Sequence, residues 1–168
     1  MNEQDDRPTT ILIGALGGEG GGVLTSWITA AAMAGDLPVQ STSVPGVAQR
    51  TGATTYYVEV FPRTNAELAG RRPVFALFPN PGLVDVVVAS EQLEAARAME
   101  RGFVTPDRTT LIASRHRVYA IGEKSAAADG RFPGKRMPEA AAELAARSII
   151  FDAERIARES RSSLNAVL

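Results

Sequence analysis

The 168-residue chain contains no cysteine and a single histidine, His116. Without cysteine there is no disulfide, no thiol nucleophile and no thiolate-ligated iron-sulfur cluster on this chain. One histidine gives no basis for a histidine-rich metal site. Charge of one sign is also missing, with 18 basic against 19 acidic residues and a net charge of −1. Such a chain has no electrostatic footprint for nucleic acid or for an anionic membrane. The longest apolar runs, such as "LVDVVVA", are strand-sized, and the opening "MNEQDDRPT" lacks the basic start and apolar core of a signal peptide. A cytoplasmic protein of one domain, residues 1–168, is the expectation. Hydrophobic residues at 45% and charged residues at 22% are ordinary for a folded domain.

Glycine is abundant in one place. Gly14 to Gly22, "GALGGEGGG", lies between the strand-like "TTILIGAL" (9–16) and a helix-like segment over 20–34. "LPVQSTSV" and "ATTYYVEVF" read as two further strands, and residues 62–82 as an irregular loop. "LVDVVVAS" is a buried strand of the parallel-sheet type, after which Ser90 is placed to cap the helix "EQLEAARAMERG". "DRTTLIAS" and "RVYAIG" read as strands, "PEAAAELAARS" as a helix, "SIIF" as a strand, and Asp152 as the cap of "AERIARES". Alternating strands and helices predict a three-layer α/β fold with a doubly wound, mostly parallel sheet, Rossmann-like. "SSLNAVL" reads either as the start of a helix that runs past Leu168 or as a docked terminal helix.

Glycines between a strand and a helix leave amide groups uncovered at the helix N-terminus, where an anion or a partner's carbonyl can approach. The spacing nevertheless matches neither a dinucleotide fingerprint nor a Walker A loop, because Val23 and Leu24 stand where Lys and Ser/Thr belong. Glu19 adds a negative charge where a pyrophosphate would lie. Ser41 to Ser43 end the second strand where an acidic ribose partner is expected. Gln49, Arg50, Thr51 and Gly52 form a second polar loop, expected on the same sheet edge as the glycine loop. Plain strand-helix packing of the glycines, and plain solvation of Gln49 and Arg50, are the competing explanations. His116, between Arg115 and Arg117, reads as structural, since like charge disfavours its protonation.

"GALGGEGGGVLTSWITAAAMAG", "VQSTSVPGVAQRTGATTYYVEV", "VDVVVASEQLEAARAME" and "GFVTPDRTTLIAS" together resemble the gamma-type module of 2-oxoacid:ferredoxin oxidoreductases, closest to the small subunit of the indolepyruvate enzymes. The resemblance implies a subunit of a complex that oxidatively decarboxylates a 2-oxo acid to its acyl-CoA and passes electrons to ferredoxin or a similar acceptor. Thiamine diphosphate, Mg and iron-sulfur clusters are then expected on a large partner subunit, with coenzyme A as co-substrate. It maps the family's glycine loop onto Gly17, Gly18, Glu19, Gly20 and Gly21, and its Gln-Arg element, with Ser43 before it, onto Gln49, Arg50 and Gly52. Many relatives carry Gln in place of Glu19, which argues against an anion-binding role for the loop and favours pairing of Glu19 with a cationic group, for example one on the partner subunit. No catalytic acid, base or nucleophile is assigned to this chain. Arg71-Arg72, Arg115-His116-Arg117 and Lys135-Arg136 are basic clusters suited to a phosphate, an acidic neighbour or water. Gly18→Val is expected to fail because a side chain would block close backbone approach. A stand-alone acyl-CoA or nucleotide binding module and a Rossmann-type dehydrogenase are the alternatives.

Overall fold

A computed structural model describes residues 7–45, 53–117 and 136–168. Among these, six strands form one sheet in the order β2-β3-β1-β4-β5-β6. They are β1 (Thr9–Leu16), β2 (Val39–Val44), β3 (Ala53–Val60), β4 (Val86–Ala89), β5 (Thr110–Ser114) and β6 (Arg147–Phe151). β1, β4, β5 and β6 pair in parallel, whereas β3 runs antiparallel to both β1 and β2. The sheet is therefore mixed but mostly parallel, as expected. The reversal of β3 has a simple cause: parallel neighbours need a crossover of a dozen or more residues, and residues 45–52 are too few.

The helices are α1 (Gly21–Ala34), α2 (Asn65–Leu68), α3 (Gln92–Glu100), α4 (Met137–Leu144) and α5 (Ala153–Ser160), followed by a 3₁₀ turn at Leu164–Ala166. The turn stands where a terminal helix is expected, and its Asn165 is buried. α2 falls inside the segment read as loop, held by a reciprocal capping box between Thr64 and Glu67. The strand expected at "RVYAIG" lies, from residue 118 onward, outside the described residues.

Strand alternation divides the buried side chains between two faces. Leu12, Tyr57, Val87, Ala89, Leu111 and Ala113 point to one face and form the main core with Ala95 and Ala98 of α3 and Met137 and Ala141 of α4. On the opposite face, Ala15 and Tyr56 meet the first turn of α1, whose Gly21 lies against both. The irregular stretch before β4 is fastened over the β2-β3 end of the core face. Gln40 Nε2 donates to the Ala76 carbonyl at 3.0 Å, Thr42 Oγ1 to the Leu77 carbonyl at 2.8 Å, and the Ala76 amide to Glu59 at 2.8 Å. Glu59 also accepts from the buried Tyr57 hydroxyl at 2.5 Å, and burial together with this carboxylate pushes the Tyr57 phenol far above its ordinary value.

Candidate functional site

The chain leaves β1 through α1 on one face and leaves β4 through α3 on the other. The carboxyl ends of β1 and β4, which are neighbours, therefore define a topological switch point, the place where open α/β sheets bind their ligands. Gly17 to Gly20 follow β1 there, and Ser90 and Glu91 follow β4.

Glu19 fills this position. A tight turn brings its amide to the Leu16 carbonyl at 3.1 Å, and its side chain folds back so that Oε2 accepts from the Leu16 amide at 3.1 Å. The Ser90 hydroxyl donates to the same oxygen, while Oε1 lies 3.4 Å from His116 Nε2. His116 Nδ1 lies 2.7 Å from Glu154 Oε2, and Arg158 donates to the other Glu154 oxygen. That Arg158 bond holds the Glu154 carboxyl below the usual carboxylate range against the opposing effect of burial, with His116 adding to the lowering. His116, flanked by like charge in the sequence, lies between two carboxylates in the fold, and the group facing Glu19 within this chain is the His116 imidazole.

The glycines have distinct reasons. A β-carbon on Gly20 would sit 2.4 Å from Asn165 Oδ1, and one on Gly21 2.6 Å from Ala15 Cβ and 2.8 Å from the Tyr56 ring. Gly20 also adopts φ +78 as the N-cap of α1, with no side chain to cap it. Gly18 differs: its β-carbon would meet nothing within 4 Å, but its φ of +89 disfavours any side chain. The steric reason expected at Gly18 thus belongs to Gly20 and Gly21, and Gly18 is a conformational requirement.

Ser43, near the end of β2, is exposed and pairs in register with Tyr56 at the same sheet edge as the glycine loop. Gln49, Arg50 and Gly52 lie outside the described residues, although Val44 and Ala53, on either side of that segment, both belong to this edge. Ser90 does not cap α3. That role falls to Glu91, fully buried, whose carboxylate accepts from the Leu93 amide at 3.0 Å and the Glu94 amide at 3.1 Å. Nothing in the sequence spacing places Ser90, His116, Glu154 and Asn165 at the glycine loop, because only the fold brings them there. The Val run before Ser90 was the one available signal, since the residue after a central parallel strand belongs at the ligand edge.

A family model described as pyruvate ferredoxin/flavodoxin oxidoreductase matches residues 10–168. The chain belongs to this family. As a member it is a gamma-type subunit of a 2-oxoacid:ferredoxin oxidoreductase. Comparison with curated protein sequences returns no match. Among solved structures, this oxidoreductase subunit is similar to the pyruvate oxidoreductase subunit PORC of Thermotoga maritima, with a TM-score of 0.55 and 17% identity over 95% of this chain and 70% of that one. It is also similar to the 2-oxoglutarate:ferredoxin oxidoreductase of Magnetococcus marinus, at a TM-score of 0.58 and 14% identity, covering 96% of this chain but only 22% of that one. At such identities the likeness concerns the fold.

The residues of this oxidoreductase subunit do not fit a thiolate-bound iron-sulfur cluster. A thiolate-bound cluster needs cysteines that the sequence lacks, and no cluster of three metal-ligating side chains occurs among the described residues. A diphosphate at the switch point would meet the Glu19 carboxylate, already seated on the Leu16 amide. No described helix is long and apolar enough to cross a membrane.

Proposed function

We propose that this chain is the non-thiamine subunit of an indolepyruvate-type 2-oxoacid:ferredoxin oxidoreductase, supporting oxidative decarboxylation of an aryl 2-oxo acid to its acyl-CoA. In this reading thiamine diphosphate, Mg and the iron-sulfur clusters reside on a large partner subunit, and ferredoxin or a similar acceptor takes the electrons. The chain itself contributes assembly and, through the glycine loop and the Gln49-Arg50-Gly52 segment, shapes the approach of coenzyme A and substrate.

The observation that carries the reading is the position of the glycine loop. It occupies the carboxyl edge of the sheet at the switch point, on the same edge as Ser43 and the two ends of the Gln-Arg segment, while Glu19 takes the place that a nucleotide phosphate would need. A surface there suits contact with another chain better than self-sufficient dinucleotide chemistry. Exposed apolar side chains agree with a subunit: Val23, Trp27 and Met33 on α1, and Val74, Leu77 and Phe78 before β4.

The test is affinity purification from the protein's own cells with identification of the co-purifying chains, followed by assay of the complex with aryl and aliphatic 2-oxo acids. A stoichiometric brown partner carrying thiamine diphosphate, with turnover fastest on indolepyruvate or a related aryl acid, is the expected outcome. A colourless chain recovered alone refutes the subunit reading, and a preference for aliphatic acids refutes the indolepyruvate assignment.

A further inference from the structure

We infer that His116 is a positioning residue for the glycine loop, transmitting the placement of α5 to Glu19. The argument begins with how His116 is itself held. Its amide donates to Ser114 Oγ at 3.2 Å, and its carbonyl accepts from the Gln92 amide at 2.9 Å, so the end of β5 is tied to the start of α3. The same Ser114 hydroxyl oxygen, fully buried, accepts from the Ala153 amide at 3.3 Å, fixing the first residue of α5 to the same point. The imidazole thus projects from a backbone anchored to three elements.

From that anchor the ring reaches in two directions, Nδ1 to Glu154 at 2.7 Å and Nε2 to Glu19 at 3.4 Å. The ring is largely enclosed, at 18% side-chain exposure, as is Glu19 at 15%, while Glu154 at 37% is the solvent-side end of the series. Among the described residues no hydrogen bond or ion pair joins Glu154 to the loop directly, and it reaches the loop through the ring. Glu19 in turn holds the Leu16 amide and the Ser90 hydroxyl, which fixes the turn that presents Gly17 and Gly18. The two ring nitrogens face two different carboxylates, and no other proteinogenic side chain offers two nitrogens able to carry hydrogen on opposite sides of a rigid ring. Asn165 braces Gly20 from the terminal turn that also packs on α5. The glycine loop is therefore mounted on the C-terminal part of the chain, and His116 is the joint. This inference concerns the loop's own geometry and stands whether or not the partner and substrate are those proposed above.

The experiment is amide hydrogen exchange of Leu16 and Glu19 in the full chain, comparing wild type, Glu154→Ala, His116→Gln and the double variant, with Arg155→Ala as a control on the same helix. Arg155 pairs with Glu159 and not with the joint. Glu154→Ala is expected to speed exchange at both loop amides by about fivefold, the loss of one charged hydrogen bond's support. It should add nothing further once His116 is replaced, and Arg155→Ala should leave the loop unchanged. Unchanged loop exchange in Glu154→Ala overturns the inference, as do additive effects in the double variant or an equal effect from Arg155→Ala. If His116→Gln fails to fold, Glu154→Gln, a neutral isostere at the solvent-side end, decides in its place: faster loop exchange supports the joint and wild-type exchange overturns it.

Discussion

Gly20 and Gly21 are positions where one methyl group decides the packing. At Gly21 an added β-carbon meets the Ala15 side chain and the Tyr56 ring at distances no van der Waals contact allows, so α1 must move off the sheet. Gly21→Ala is expected to cost about 1–3 kcal/mol, the range for overpacking a filled interior. Gly20→Ala adds a left-handed backbone to a clash with Asn165 and should cost at least as much. Gly18→Ala has only the backbone penalty, roughly 1 kcal/mol. Urea unfolding of the three variants checks the order, and a Gly18 variant as damaged as Gly21→Ala would contradict it. The glycine run itself was legible in the sequence, but which glycine needs space and which needs a dihedral was not. Asn165 and Tyr56 are remote in the chain, and nothing in the local spacing announces them.

Between elements, the end of β4 assigns different work to two adjacent residues. Glu91 holds the first turn of α3 from a fully buried position, so Glu91→Ala should destabilise the chain by about 2 kcal/mol, the upper end for losing a cap. Ser90→Ala should leave α3 intact and instead loosen the glycine loop, because its hydroxyl serves Glu19. Hydrogen exchange separates the two, and loss of protection in α3 from Ser90→Ala would restore Ser90 as the cap. At the opposite sheet edge, Arg7 grips Asp85 through two bonds, at 2.9 and 2.8 Å, and the Thr10 amide donates to the same carboxylate at 2.9 Å. Burial by itself would raise the Asp85 carboxyl, but Arg7 and Thr10 outweigh it and hold the group below its ordinary value. Since the folded pKa lies below the unfolded one, this stabilisation is present in full above the unfolded value of about 3.9 and is lost as pH falls through the folded value. Melting temperature measured from pH 7 down to pH 2 should show wild type above Asp85→Asn at neutral pH and converging with it below about pH 4. A gap that persists at pH 2 would remove the charge from the account.

For the molecule as a whole, α1 is the element that covers its own sheet and still faces outward with apolar side chains. Its Trp27, the single tryptophan of the sequence, is 50% exposed. If the proposed partner covers α1, Trp27 emission should shift to the blue when the complex forms, as water leaves the indole. An unchanged spectrum in a complex shown to have formed would place the interface elsewhere, for example on the Leu77-Phe78 segment.

The alternation of strands and helices, the Val run of β4 and the glycine loop after β1 were enough to set an α/β sheet with a loop at its functional edge. These are local patterns, written in periodicity and in residue types that only certain backbones accept. The short link after Val44 even carried the antiparallel turn of β3, since a parallel crossover needs more chain. What only the tertiary structure decided is which residues meet across that edge. Glu19, Ser90, His116 and Glu154 become neighbours because parallel strands stack their carboxyl ends side by side, whatever the sequence distance between them. The charge environment of a side chain follows those neighbours in space. His116 therefore lies between two carboxylates, although in the sequence it lies between two arginines.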